Sequence, residues 1–261
     1  MKTLLKWVGG KGQLLPIILS KIPSDINTYI EPFLGRGAVA FALQPRKAIL
    51  SDFNQELINV YHCVKSNVEL LIDELSTYEN TLNFFKEVRS WDRQGTYLQL
   101  PSYCRAARFI YLNKTSYNGL YRVNQKGQYN TPFGYYKKPN ICNEKLLQEL
   151  HQYFNSNNIG LNACDFEITL NQAKEGDFVY LDPPYVPISD RANFTSYTKT
   201  GFSLEDHQRL LSVCDRLTER KVKFLLSNSY CDTTLDLLAK RNISCKTTSR
   251  AKVKEIIVSN Y

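Results

Sequence analysis

The apolar run Phe178-Val179-Tyr180-Leu181 stops at Asp182-Pro183-Pro184-Tyr185, and this junction constrains the fold more than any other stretch. Four consecutive large apolar residues read as a short strand buried on both faces. Two successive prolines remove two amide donors and fix φ, so the strand cannot stay paired beyond them. A carboxylate, prolyl carbonyls and an aromatic ring are thereby set at the carboxyl end of a buried strand, where open α/β sheets bind ligands.

Both ends of the chain alternate strand with helix. Tyr29–Phe33 reads as a strand breaking into Gly35-Arg36-Gly37, followed by a small-apolar helix, Ala38–Leu43, and a second strand, Ala48–Leu50, ending on Ser51-Asp52. The alternation resumes with Ile159–Ala163, Phe178–Leu181, a capping box of Ser203 with Asp206 opening a helix to about Arg220, and strands at Lys223–Leu226 and Glu255–Tyr261. Such alternation predicts an α/β fold with a mostly parallel sheet covered on both faces.

The middle, residues 56–158, carries helical spacing instead. Leu57, Tyr61 and Val64, Leu71 and Leu75, Ala107, Ile110 and Tyr111, and Leu146, Leu147 and Leu150 lie on helix faces. Asn118 to Lys138, rich in Gly, Asn, Gln and Tyr, suits a hairpin or an ordered loop. Charge is concentrated here. Residues 86–140 hold ten lysines and arginines against Glu87 and Asp92, a local excess of eight that equals the net charge of the 261-residue chain. Eight tyrosines are interleaved with these cations. Cations for phosphates beside aromatics and amides for bases suit a nucleic-acid surface, and a solvated basic helix face with core tyrosines is the plainer alternative.

Other classes recede. With 43% hydrophobic residues the chain can build a sizeable core. No apolar run nears the roughly 18–20 residues of a membrane span, and Lys6 and Lys11 interrupt the start too early for a secretory signal. A cytoplasmic protein is expected. The seven cysteines form no CxxC pair and the three histidines are isolated, so neither a disulfide framework nor a metal site is expected.

Gly35-Arg36-Gly37-Ala38-Val39-Ala40 fits G-x-G-x-x-A after a strand and before a helix. With Asp52 ending the next strand as a ribose acceptor, the pattern suits an adenosine-bearing cofactor. NAD and S-adenosylmethionine both qualify on this feature. Glu31 is unhelpful beside a pyrophosphate and favourable beside a sulfonium and an amino group. At the second motif, the Asp182 carboxylate and the Pro183 carbonyl can accept both N–H bonds of an exocyclic base amine. That draws its nitrogen toward a tetrahedral shape and aims the lone pair at an electrophilic methyl, while Tyr185 can stack on the base.

Taken together, these residues closely resemble the Dam-type DNA adenine-N6 methyltransferases across essentially the whole chain. Lys6-Trp7-Val8-Gly9-Gly10-Lys11 is similar to the amino-terminal cofactor segment of that family, and Glu31–Gly37 to its glycine motif. Asp52 is similar to its ribose-binding acid, and Asp165-Phe166 to the pair beside the cofactor's adenine. The resemblance implies a Rossmann-like S-adenosylmethionine-dependent methyltransferase sheet, residues 1–55 and 159–261. Residues 56–158 become an inserted, mainly helical DNA-recognition domain carrying a β-hairpin. It implies methyl transfer to adenine N6 in double-stranded DNA, within GATC, after the base is flipped. Asp182, Pro183, Pro184 and Tyr185 would be catalytic. Trp7, Lys11, Glu31, Gly35, Gly37, Asp52, Asp165, Phe166 and Asp182 would hold the cofactor, with no metal.

Tyr117–Arg122 and Pro132–Tyr136 resemble the family's DNA-reading hairpin. On that resemblance Lys6 and Arg122 read guanines, Leu120, Pro132 and Tyr136 contact other bases, and Tyr117 and Asn118 wedge into the stack as the adenine leaves it. Two positions depart from the family. The segment from Cys245 to Ser249 is shorter than the polar loop of many relatives, leaving Arg250 and Lys252 as phosphate contacts, and Tyr135 stands where some relatives have arginine. The rival enzyme is a guanine-N2 methyltransferase of RNA, against which the hairpin, Lys6 and Arg122 argue. An NAD-dependent oxidoreductase leaves the double proline and the basic middle unexplained. Nothing points to an obligate protein partner.

Overall fold

A computed structural model describes residues 1–7, 11, 14–185, 202–229, 231, 234–236, 244–250 and 253–261, with 244–250 and 253–254 as backbone only. Val8, Gly9, Gly10 and Lys252, and the side chain of Arg250, lie outside the described residues.

Strands β1 (Tyr29–Glu31), β2 (Lys47–Asp52), β3 (Asn158–Ala163), β4 (Phe178–Leu181), β5 (Lys223–Ser229), β6 (Ser244–Arg250) and β7 (Val253–Ser259) form one sheet in the order β3-β2-β1-β4-β5-β7-β6. The first four pairings across that order are parallel, and only β7 runs against its neighbours. The 3-2-1-4-5 half is that of a doubly wound nucleotide-binding sheet, whose strand order reverses between β1 and β4. The last strand, β7, is reversed and inserted beside β5, an arrangement consistent with the Rossmann-like sheet that the resemblance implies.

The pleat explains why the central strands read as continuous apolar runs. Tyr29, Phe178, Tyr180, Leu225 and Ile257 point into one buried cluster. Their chain neighbours Ile30, Val179, Leu181, Phe224, Leu226, Ile256 and Val258 point into the other. Each large side chain so buried is worth roughly 1.5–3 kcal/mol relative to exposure. Helices α8 (Phe166–Leu170) and α9 (Leu204–Glu219) cover the second face, and the capping box of Ser203 with Asp206 starts α9 as its sequence predicts. On the first face lie α1 (Leu15–Lys21), α2 (Ala38–Leu43), α3 (Gln55–Ser66), α6 (Ser102–Thr115) and α7 (Glu144–Ser156). With α4 (Val68–Ser76) and α5 (Leu82–Ser90), the helices of the middle segment bury their apolar faces in that same continuous core.

Several expected bounds shift for local reasons. β1 ends at Glu31 rather than Phe33, because Pro32 has no N–H to donate. β7 begins at Val253, two residues before the expected start. α1, α5, α8 and β6 have no counterpart in the sequence reading. The hairpin of the middle segment is present only as the antiparallel bridges Ser116↔Phe133 and Val123↔Tyr129. Its turn is closed by Asn124 N donating to Gln128 O at 2.8 Å and Asn130 N donating to Arg122 O at 3.0 Å.

Candidate functional site

Parallel pairing brings the carboxyl ends of β1, β2, β3 and β4 to one edge of the sheet. Glu31 ends β1, Asp52 ends β2, Asp165 follows β3 and Asp182 follows β4. Because β7 is reversed, Glu255 near its start reaches this edge too, opposite Ser229 at the end of β5. A protein of net charge +8 thus sets five acids along one rim.

At the switch point, Asp182 Oδ1 lies 2.8 Å from Lys11 Nζ and accepts a hydrogen bond from Ser227 Oγ at 3.1 Å. Ser227 in turn meets the Tyr180 hydroxyl at 3.1 Å. Lys11 donates to the Tyr185 hydroxyl and lies 4.3 Å from the centre of that ring and 3.8 Å from Glu255 Oε2. Tyr185 donates to Glu255 Oε2 at 3.0 Å. The Tyr185 side chain expected to stack on a base is held through its hydroxyl by Lys11 and Glu255. Burial pushes the Asp182 carboxyl pKa upward, against the opposing pull of Lys11 and of the hydrogen bonds from Lys11 and Ser227. About a quarter of the Asp182 side chain, 24%, still meets solvent. Pro183 is buried and Pro184 exposed.

The glycine turn has the geometry its motif demands. Gly35 and Gly37 adopt φ of +49° and +67°, a region where only glycine is unstrained. A Cβ on Gly35 would stand 3.0 Å from the Trp7 ring, and one on Gly37 only 2.4 Å from Phe41. Asp52 closes the turn, Oδ2 accepting from Gly35 N and Oδ1 from Asn54 N, both at 2.9 Å. Burial raises its pKa, while the N–H bonds of Asn54, Gly35 and Phe53 oppose the rise.

Glu31 is deeper, 2% exposed, with Oε2 accepting from the Tyr29 hydroxyl at 2.7 Å and Ala40 N at 3.2 Å. Burial is the main cause of a pKa raised to about 8, with the negative charges of Asp182 and Asp52 adding to it and the Tyr29 and Ala40 hydrogen bonds resisting. A carboxyl raised above its unfolded value stabilises the fold fully below the ordinary carboxylate range. That contribution is lost as pH climbs toward about 8. Glu31→Gln is accordingly expected to become the more stable protein, relative to wild type, between pH 5 and about 8. Thermal unfolding of both proteins across that range checks this, and a constant difference in Tm would contradict it.

Asp165 caps α8 and is held by Arg209, NH1 to Oδ1 at 3.0 Å and NH2 to Oδ2 at 2.8 Å. The same guanidinium lies 4.4 Å over the Phe166 ring, which packs on Phe33 at 5.4 Å. The structure thus joins the Asp165-Phe166 pair to the turn after β1.

The residues expected to meet DNA gather around α6. Asn113 is buried and binds the backbone of Lys6 on both sides, accepting from its N–H at 2.8 Å and donating to its carbonyl at 2.7 Å. Its amide also donates to Gly119 O at 3.1 Å. Lys6 is therefore fixed against the Tyr117–Gly119 turn, with Nζ 4.3 Å over the Tyr136 ring. Its neighbour Trp7 stacks on Tyr121 at 5.8 Å and Phe109 at 6.3 Å while touching Gly35. Tyr117 is 55% exposed and followed by Asn118 at φ +54°. Its N–H is fastened to the carbonyl of the exposed Pro132 at 2.9 Å. Arg122 donates through Nε to Asn130 Oδ1 at 2.8 Å, which leaves its terminal NH2 groups for a ligand. Leu120 is half-buried beside them.

Most cations of the basic middle segment fall into two groups. Arg108 is buried, pairing with Asp92 at 2.7 Å and donating to Val88 O and Arg89 O. Arg93 and Arg105 pair with Asp92 at 2.9 Å and Glu56 at 2.5 Å. These three are structural, as the plainer alternative has it. Lys86, Lys126, Lys137 and Lys138 are exposed.

Sequence reasoning missed Asn113, Ser227, Arg209 and Glu255. Asn113 and Ser227 each open the polar end of an apolar run, Asn113-Lys114-Thr115 and Ser227-Asn228-Ser229, and no local motif marks the other two.

The donor set suits a cationic adenosine ligand better than a pyrophosphate. Its glycine turn is closed by a carboxylate, and the rim is acidic from Asp165 to Glu255. A model of the D12 class N6 adenine-specific DNA methyltransferases matches residues 7–256. The chain is 43% identical to the Type II methyltransferase M1.LlaDCHI of Lactococcus lactis subsp. cremoris, over 100% of this chain and 96% of that protein. It is 39% identical to the Type II methyltransferase M.MjaIII of Methanocaldococcus jannaschii, over 100% and 99%. To the DNA adenine methylase of Escherichia coli K12 it is 33% identical, over 98% and 94%. With motif geometry and similarity both extending along the chain, it belongs to the D12 class of N6 adenine-specific DNA methyltransferases and is a site-specific adenine methyltransferase of DNA.

Proposed function

We propose that this enzyme methylates adenine N6 within GATC in double-stranded DNA, turning the adenine out of the helix into the pocket at Asp182. The observation that carries the reading is the junction at α6. There Asn113 fastens Lys6 to the exposed Tyr117-Asn118 turn while Trp7, the next residue, packs on the cofactor turn at Gly35. Residues 56–158 then supply recognition, and 1–55 with 159–261 the chemistry.

Use of S-adenosylmethionine follows from the family. When bound, it supplies a methyl carbon activated by a neighbouring sulfonium, and S-adenosylhomocysteine is the product; no metal takes part. Asp52 would accept ribose hydroxyls, Trp7 and the Gly35–Gly37 turn would face its amino-acid half, and Asp165 with Phe166 its adenine. Asp182 and the Pro183 carbonyl accept the two N–H bonds of the target amine, which restores lone-pair character to its nitrogen. Full deprotonation beforehand is unnecessary, since the surplus proton leaves N6 after transfer. Tyr117 and Asn118 fill the gap in the stack, where an exposed aromatic on a tight turn is suited to wedge. Arg122 and Lys6 present donors matched to guanine O6 and N7, while Leu120, Pro132 and Tyr136 line neighbouring bases. With chromosomal or phage DNA as substrate, the enzyme works in the cytoplasm at the nucleoid.

Methylation of duplexes bearing GATC or a single replacement of either outer guanine tests this. Wild type should discriminate between them, and Arg122→Ala should lose about 1–3 kcal/mol of that discrimination. Equal rates on all duplexes, or an unaltered preference in the variant, would remove the assignment.

A further inference from the structure

Glu255 has no role in the chemistry described so far, yet it is 2% exposed at the centre of the site. Its Oε2 accepts the Tyr185 hydroxyl at 3.0 Å and faces Lys11 Nζ at 3.8 Å. Lys11 is thus one ammonium between two carboxylates, closer to Asp182 at 2.8 Å. The same Asp182 Oδ1 already accepts from Ser227 at 3.1 Å. Asp182 Oδ1 is thus fully used, and the ammonium paired with it draws electron density from the carboxylate, which makes Asp182 a weaker acceptor for an incoming base amine.

We propose that Glu255 is a positioning residue: it gives the Lys11 ammonium a second anionic seat, so that Lys11 leaves Asp182 as the target base enters. The two seats differ by 1.0 Å in their present distance from Nζ. The Tyr185 hydroxyl, bonded to both Lys11 and Glu255, bridges the passage. The ammonium keeps an anionic partner throughout the exchange, and Asp182, 24% exposed, keeps the Ser227 hydrogen bond as the amine arrives. Without Glu255, Lys11 would stay on Asp182 and compete with the amine. The inference rests on Asp182 as acceptor of that amine.

Glu255→Gln keeps the size and the oxygen that accepts from Tyr185 but removes the charge. Single-turnover methylation at saturating S-adenosylmethionine and GATC duplex should slow by about 10-fold or more. The groups facing Asp182 are Lys11 from the amino-terminal segment, Ser227 on β5, Tyr180 within β4, Tyr185 after it, Glu31 from β1 and Glu255 from β7. Losing the negative charge of Glu255 should move the acid limb of the pH–rate profile to lower pH, because Asp182 then keeps the ammonium to itself. Glu31, raised to about 8, titrates on the other side of neutrality and does not blur that limb. A wild-type rate, or a slower rate with the acid limb unmoved, overturns the proposal, the second result showing a merely structural residue.

A co-crystal of wild type with S-adenosylhomocysteine and a GATC duplex tests it without any variant. Lys11 Nζ should lie nearer Glu255 than Asp182, and an ammonium still seated on Asp182 beside the bound adenine overturns the exchange. If Asp182→Asn turns over normally, it is the assignment of Asp182 that fails, separately from that of Glu255.

Discussion

Asp182→Ala should lower methyl transfer by at least about 10³-fold, within the range that positioned proton-accepting groups contribute. Asp182 is the single charged acceptor immediately after β4, and neither proline that follows has a side-chain acceptor to take over. The variant should still fold, because Lys11 keeps Glu255 at 3.8 Å and the Tyr185 hydroxyl as partners. It should also still bind GATC duplex, since the proposed contacts at Tyr117 and Arg122 lie in the loop after α6 and Lys6 is held by Asn113 of α6. Asp182→Asn is the sharper companion, because it preserves shape and loses only the anionic acceptor. Single-turnover rates at saturating cofactor, alongside duplex affinity, measure both. Near-normal turnover in either would show that another group orients the amine.

Duplex affinity should fall by a few hundred-fold between 50 and 200 mM salt. That estimate assumes roughly four to five phosphate contacts and a slope near −0.9 per contact. The structure sets the number. Ten cations lie between residues 86 and 140, but Arg93, Arg105 and Arg108 are already paired with Asp92 or Glu56. The exposed Lys86, Lys126, Lys137 and Lys138 remain for the backbone. Lys137→Ala and Lys138→Ala should each flatten the salt slope by about 1. Arg108→Ala should instead lower Tm, because it removes a buried ion pair with Asp92 and the hydrogen bonds to the Val88 and Arg89 carbonyls. A slope near zero, or one that Arg108 controls and the lysines do not, would place the DNA on another face.

Much of this was legible in the sequence because the informative residues are punctuation. Pro183 and Pro184 end β4, Gly35 and Gly37 force the cofactor turn, and Ser203 with Asp206 opens α9, each by a local rule. Central strands were visible for a related reason: Phe178–Leu181 is apolar at every position because both faces of the sheet are covered. What stayed hidden depends on distant pairing. β6 is a polar strand, Ser244–Arg250, recognisable only once β7 lies beside it. Glu255 reaches the site only because β7 runs backwards. In the basic middle, composition counted charges correctly yet could not tell an arginine buried on Asp92 from a lysine in water. Asn113 looks like one polar residue on an otherwise ordinary helix until its three backbone partners are known.

That asparagine also limits how such enzymes can be re-targeted. Its grip on Lys6 spans 107 positions of sequence, so the residue proposed to read one guanine and Trp7, which packs on the Gly35 turn, are consecutive links of the same chain. A swapped central segment would arrive without the strand it has to hold. Chimeras between relatives of different preference should therefore succeed when the first dozen residues travel with the transplanted helices, and lose both grip and turnover when they are left behind.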